Sequence, residues 1–367
     1  MTTFCSDIFE LIEKWTPKQL AYDWDNVGLQ VGSPHKEVKK IMVTLDVLES
    51  VVDEAIEKGA DLIIAHHPLL FKELKEIDTS TPKGRVVKKL IQHDISVYAA
   101  HTNLDAAHGG INDLLCEALS VHPDEVLVET GRQRYLKMAV YVPESHADDI
   151  RNAFHKAGAG HIGNYSHCTF QTHGVGTFKP LEGTNPYIGK HNELEFAKEM
   201  KIETIMPEEK TDQVIDAVID AHPYEEPAYD IFPLENPGEA IGIGRVGNLA
   251  SEMSLRELCA KVKDAFGLEG LRVTGDLNRK VKKAAVLGGS GEKYIHAAKQ
   301  KGADVYITGD MTFHMAQDAM EMGLSVIDPG HHIEQIMKGA VKNYLDDELA
   351  NIDVFISEKE TEPFQFL

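Results

Sequence analysis

The sequence predicts an α/β protein: two duplicated α/β lobes form the core, and a ferredoxin-like α+β domain is inserted between them. Three observations lead there. The stretch "KKIMVTLDVLESVVDEAIEKGADLIIAHH" from Lys39 and the stretch "KKAAVLGGSGEKYIHAAKQKGADVYITGD" from Lys282 align without a gap, Lys39 and Lys282 standing 243 apart as Lys58 and Lys301 do. Each copy ends its short apolar strands on histidine or aspartate, at the carboxyl ends where ligands gather in open α/β sheets. Between the copies, a strand ending in proline and running into a helix occurs twice, a smaller duplication of its own.

In chain order, the start "MTTFCSDIFELIEKWTPKQL" carries acids where a secretion signal carries bases. The first lobe then reads strand, helix, KGAD turn and the strand "DLIIA", a short Val/Ile/Leu-type run that suits a buried parallel strand. His66 and His67 follow it. A further helix leads to "ISVYAAHTNLD", which places His101 and Asp105 after the next strand, with Asp105 in a loop before the helix "GGINDLLCEAL". The inserted region contains "KMAVYVPESHADDIRNAFHKAGAG" and "IETIMPEEKTDQVIDAVIDAHPYEEPAYDIFPL"; the Gly-, Thr- and aromatic-rich stretch between them has no helical period and reads as strands and loops. The second lobe repeats the first, placing Asp310 and His314 after one strand and His331, His332 and Glu334 after "LSVIDPG", where a helix begins near His332. The expected boundaries are 1–127, 128–236 and 237–367. The final "SEKETEPFQFL" is either a docked strand or a frayed tail.

Composition limits the function. The 367 residues are 43% hydrophobic and 26% charged, ordinary for a protein with proper cores. A formal net charge of -22 leaves no basic surplus for nucleic acid or an anionic membrane, and suits a metal cation. Cys5, Cys116, Cys168 and Cys259 form no CxxC pair, so they read as reduced core residues, and a cytoplasmic location is expected.

The residues at the strand ends supply imidazoles and carboxylates from several elements without cysteine, a ligand set for zinc, iron, manganese or cobalt. Neighbouring strand residues point to opposite faces, so His66 and His67 suit two adjacent ions unless the strand is already turning. His331 and Glu334, three apart, share one side of a first helical turn. His66, His67 and Asp105 from one lobe with His331 and Glu334 from the other would hold two divalent ions in the cleft, one carboxylate bridging. Taken singly, Asp105 or His331 is better explained by helix capping or hydrogen bonding than by metal ligation. Asp46, His101, Asp310 and His314 are candidates for orienting the ligands or for acid–base work. His332 is expected to face solvent. His161, His167, His173, His222, Glu225 and Glu226 follow no such pattern and read as structural polar residues. "GIGRVG" matches a dinucleotide pattern but no helix follows it at once, while "GGSGEK" lacks P-loop spacing and reads as a tight turn that could accept a phosphate.

The motifs "WDNVGLQVG", "AHHPLLF", "AAHTNLD", "TGDMTFH" and "DPGHHIEQ", in that order across both lobes, resemble the Nif-three-like proteins, often labelled GTP cyclohydrolase 1 type 2 homologues. The resemblance implies a dinuclear metal centre on His66, His67, Asp105, His331 and Glu334, a toroidal homohexamer, and an inserted domain similar to PII and CutA proteins. It also implies hydrolysis of GTP with ring opening and release of formate, a nucleotide or other phosphate-containing molecule being the expected small-molecule partner. The rival expectation is a non-catalytic hexamer that stores, delivers or senses metal.

Overall fold

The computed structural model describes residues 2–367. The chain divides into two compact units, one made of residues 1–131 with 241–367 and the other of residues 132–240. Both divisions fall a few residues beyond the boundaries expected from sequence. The reason is that the strands Val121–Arg132 and Ala240–Ser254 continue as neighbours in one sheet well past those positions.

The first unit holds two sheets that repeat one plan. In one, the strand order is Gly28–Val31, Ser96–Ala99, Leu62–Ala65, Lys40–Thr44 and Asp353–Ile356, with the first strand antiparallel to its neighbour and the rest parallel. The other begins Arg272–Thr274, Ser325–Asp328, Val305–Gly309 and Lys280–Ser290, again with an antiparallel edge, and continues into the two long strands named above. The registers correspond: Ile41 pairs with Leu62 where Ala284 pairs with Val305. The aspartate of each KGAD turn explains why that motif recurs. Asp61 Oδ2 accepts the Lys39 and Lys40 amides at 2.8 and 3.0 Å, and Asp304 Oδ2 accepts those of Lys282 and Lys283 at 2.9 Å. A carboxylate satisfying two strand-entry amides locks the start of one strand to the turn before the next.

One hydrophobic core joins the two halves, running from Ile8, Ile41 and Ile64 through Leu104 and Leu115 to Val281, Val286, Ile307, Met337 and Val341. The lobes therefore make one body, and their strand ends meet across it. The four-residue strands Leu62–Ala65 and Ser96–Ala99 are buried throughout, as their apolar runs require.

The second unit is a four-stranded antiparallel sheet in the order Thr169–Phe178, Glu195–Pro207, Tyr135–Pro143, Ala228–Leu234, with the helices Ala147–Lys156 and Thr211–Ala221. Its core of Met138, Val140, Ile150, Phe154, Ile202, Val214 and Val218 is its own. Both βα units turn at a proline, Pro143 and Pro207, each followed by a short 3-10 segment.

Several local expectations need correction. Asp105 sits in a short helix, Thr102–Ala106, not in a loop. The residues after "GIGRVG", read in the sequence only as not starting a helix, continue the long strand to Ser254, whose side chain caps the helix Leu255–Phe266 in a capping box with Glu257. Cys5 and Cys116 are buried, but Cys168 and Cys259 are only partly so; all four are free. Residues 353–356 dock as a strand, and the segment after them covers His332, whose side chain is 12% exposed and meets Glu360, so it does not face solvent. Among the described residues no helix is long and apolar enough to cross a membrane.

Candidate metal centre

His66 and His67 follow the strand Leu62–Ala65 in a bend, so the chain is already turning and the opposite-face rule for strands no longer applies. Their rings lie 4.9 Å apart and share one site. From the other lobe, His331 and Glu334 lie on a 3-10 segment, His331–Ile336, that precedes the helix Met337–Glu348. Residues three apart eclipse in that geometry, which brings His331 Nε2 to 3.1 Å from Glu334 Oε2.

The side chains converge on Glu334. Its Oε2 lies 3.6 Å from His66 Nε2 and 3.2 Å from His67 Nε2, and the Nε2 atoms of His67 and His331 are 3.2 Å apart. His66 Nε2 also lies 3.8 Å from Asp105 Oδ1, and both of these buried atoms lack a hydrogen-bond partner. Two groups suited to an ion result, His66–Asp105–Glu334 and His67–His331–Glu334, sharing the Glu334 carboxylate. A third, His66–His67–His101, brings in a residue expected only to assist.

Each imidazole is held from behind. His66 Nδ1 donates to the carbonyl of Ala100 at 2.8 Å, His67 Nδ1 to Asp46 Oδ1 at 2.7 Å, His331 Nδ1 to Asp310 Oδ2 at 2.7 Å and His101 Nδ1 to Asp25 Oδ1 at 2.8 Å. Carbonyls and carboxylates only accept, so every Nδ1 carries the proton and every neutral ring turns its Nε2 lone pair inward. Lone pairs and carboxylate oxygens pointing at one another repel unless a cation lies among them, and this backing is the usual arrangement behind metal-ligating histidines. The residues fit a divalent ion.

Without metal, protons partly fill that role. Burial disfavours a charged His67, but Asp46 and Glu334 outweigh it and raise its pKa to about 10. His331 is raised to about 9 against the same burial, by Glu334 and Asp310. Burial pushes the Asp105 carboxyl up to about 8, reinforced by the charge of Glu334. Glu334 is equally buried, yet the imidazoles around it hold it well below the usual carboxylate range.

The structure thus brings together His66, His67, Asp105, His331 and Glu334, with Asp46 and Asp310 behind two of the rings and His101 beside them. His314 is not brought in: it is exposed on the helix Phe313–Glu321, with Nδ1 3.3 Å from Gln317. Sequence reasoning missed Asp25, although it stands in the quoted "WDNVGLQVG". It also missed Gly289, where a Cβ would lie 2.5 Å from Glu334 Oε1. The "GGSGEK" turn makes room for a carboxylate. The cluster opens into a cavity of about 520 Å³ walled by Tyr22, Trp24, Phe71, Lys293 and Tyr294.

Two α/β lobes closing on a histidine–carboxylate cluster define an α/β protein with a site suited to a divalent cation. The chain belongs to the Duf34/NIF3 (NGG1p interacting factor 3) family, whose model matches residues 3–363. It is 53% identical over 364 residues to a Bacillus subtilis protein named GTP cyclohydrolase 1 type 2 homolog, covering 98% of each chain. It is 35% identical to the Staphylococcus aureus protein of that name, covering 99% of each. Among solved structures, a Bacillus cereus protein related to NIF3 matches with a TM-score of 0.94 at 48% identity, covering 100% of both chains.

Proposed function

We propose that this chain is a metal-dependent hydrolase with two adjacent ion positions, one on His66 and Asp105 and one on His67 and His331, bridged by Glu334. The supporting observation is that four imidazoles, each fixed at Nδ1, present Nε2 to one region beside two carboxylates. Divalent ions held there supply a bound water acidified toward neutrality and a Lewis acid for a substrate oxygen. The protein's own groups do the rest. Asp46 and Asp310 keep His67 and His331 in the ligating tautomer, and Glu334 supplies the shared charge. His101, fixed by Asp25, holds or takes up a proton at Nε2 on the cavity side. Trp24 and Phe71 wall the cavity and limit water around a bound substrate.

The relatives are named GTP cyclohydrolase 1 type 2 homolog, and the family resemblance implies GTP as substrate, with water added to the purine ring and formate leaving. We read residues 132–240 as a PII/CutA-like module on the strength of its strand order, the assembly as a homohexamer, as the family resemblance implies, and the location as cytoplasmic from the acidic start of the sequence. The test is formate release from GTP by protein reconstituted separately with manganese, iron and zinc, followed by a panel of nucleotides and phosphoesters. Turnover that needs metal supports the hydrolase. Metal uptake with no turnover on any substrate replaces it with a storage, delivery or regulatory role.

A further inference from the structure

The C-terminal segment reaches the candidate metal centre. The strand Asp353–Ile356 pairs in parallel with Lys40–Thr44, so the chain leaves it alongside the residues that lead to Asp46. Residues 357–367 form no helix or strand, yet side chains tie them down repeatedly. Buried Ser357 donates its hydroxyl to Glu54 Oε2 at 2.6 Å, and the Glu358 amide donates to Glu54 Oε1 at 3.0 Å. Glu360 lies 3.1 Å from His332 Nε2, next to His331. Thr361 Oγ1 donates to Asp46 Oδ2 at 2.7 Å.

That last bond matters because of what the other oxygen does. Asp46 Oδ1 accepts the Nδ1–H of His67 at 2.7 Å. A carboxylate bonded at one oxygen swings about its side-chain torsions, whereas one bonded at both has a fixed plane and fixes the ring it orients. We infer that Thr361 is a positioning residue of the metal centre: through Asp46 it sets the orientation of His67, and the segment 357–361 is a built part of the site. Glu360 meets His332, and Thr361 Oγ1 lies 3.4 Å from His332 Nε2 as well, so the same strap touches the residue that follows His331. The inference rests on the cluster being a metal site.

The experiment titrates Co²⁺ into the full chain against a competing chelator and follows the visible cobalt spectrum. Thr361→Val keeps the shape and removes the hydroxyl, and Thr361→Ser restores it. Groups that orient metal-ligating histidines typically contribute about 10–100-fold in affinity, and Thr361, acting one bond further out, sits at the lower end, about tenfold. The expected result is that Val weakens Co²⁺ binding by about that factor and alters the spectrum, while Ser matches wild type. Because Thr361 acts through Asp46, Val should add nothing in an Asp46→Ala background, which has no side-chain partner left for either neighbour. Unchanged affinity and spectrum in Thr361→Val, failure of Ser to restore them, or full additivity with Asp46→Ala overturns the inference. A wild type that takes up no Co²⁺ overturns the metal reading and this inference with it, whereas a wild type that binds alongside an unchanged Val variant overturns this inference alone. Removing residues 358–367 should weaken binding at least as much, and if that chain does not fold, the Val and Ser pair still decides.

Discussion

Gly289→Ala isolates the site from the fold around it. Gly289 has φ +62°, and an alanine in that left-handed region costs about 1–2 kcal/mol. The added methyl would lie 2.5 Å from Glu334 Oε1, 3.2 Å from its Cδ and 3.3 Å from His331 Nε2. Ordinary contact distances are about 3.5 Å, so the carboxylate has to retreat by about 1 Å. Metal sites tolerate ligand displacements of about 0.2 Å, so the shared carboxylate moves out of reach of one ion position. Divalent-metal affinity should fall by at least about tenfold, or 1.4 kcal/mol. Gly59→Ala is the matched control, since φ is +69° and nothing lies within 4 Å of the added carbon. Urea unfolding of the metal-free proteins should show a loss for Gly289→Ala at least as large as for Gly59→Ala, because only the former also displaces Glu334, while chelator competition should show lost affinity only for Gly289→Ala. Wild-type affinity in Gly289→Ala, or an equal loss in Gly59→Ala, would refute the assignment of that space to Glu334.

His67→Ala should lower metal content while leaving the protein folded, because its side chain is partly exposed at a strand end; His314→Ala should leave metal content unchanged, both read by elemental analysis. Burial opposes ionisation of Glu54, but Lys58, Ser357 and the Glu358 amide outweigh it and bring its pKa down from 4.5 to about 2. A pKa lowered by folding gives stability that is present above the unfolded value of 4.5 and lost as pH falls through about 2, so Glu54→Gln should flatten the fall of the urea midpoint over that range. Replacing residues 132–240 by a short Gly/Ser linker should leave a folded core that still binds metal, since the flanking strands are neighbours in one sheet; an insoluble or metal-free product would show that the core depends on the insert.

The parts of the fold legible in the sequence were those governed by local pattern. The gapless repeat from Lys39 and Lys282 gave matching strands because apolar runs and the KGAD aspartates act over short distances. His66, His67, His331 and Glu334 were legible because strand ends and three-residue spacing are local too. The partners behind the imidazoles divide on the same line. Asp46 and Asp310 end strands of the repeat and could be picked out, whereas Asp25 reaches His101 across 76 positions, a separation no periodicity reports. His314 was misplaced because spacing after a strand says nothing about which way the following helix turns. His332 was misjudged because the segment that covers it lies far along the chain and belongs to no helix or strand, so no local pattern announces the contact.

The duplication also explains why two similar lobes make one site instead of two. Asp105 and Glu334 are equivalent, standing 229 apart as Ser96 and Ser325 do, so each lobe gives one carboxylate from the turn after the same strand. One strand earlier, the symmetry is broken. The positions of His66 and His67 are taken in the second lobe by Gly309 and Asp310, each 243 further along. A Cβ at Gly309 would lie 2.9 Å from the Gly330 carbonyl carbon and the His331 nitrogen, so the second lobe cannot hold an imidazole there while that loop passes. Asp310, at φ +56°, turns its carboxylate to His331 Nδ1. The copy without histidines at this strand end thus orients a histidine from its own neighbouring loop, and that ring meets His67 of the other copy at Glu334. With the differences Asp46/Gly289, His101/Gly330 and Thr102/His331 added to His66/Gly309 and His67/Asp310, two similar sets of strand ends serve a single shared cluster.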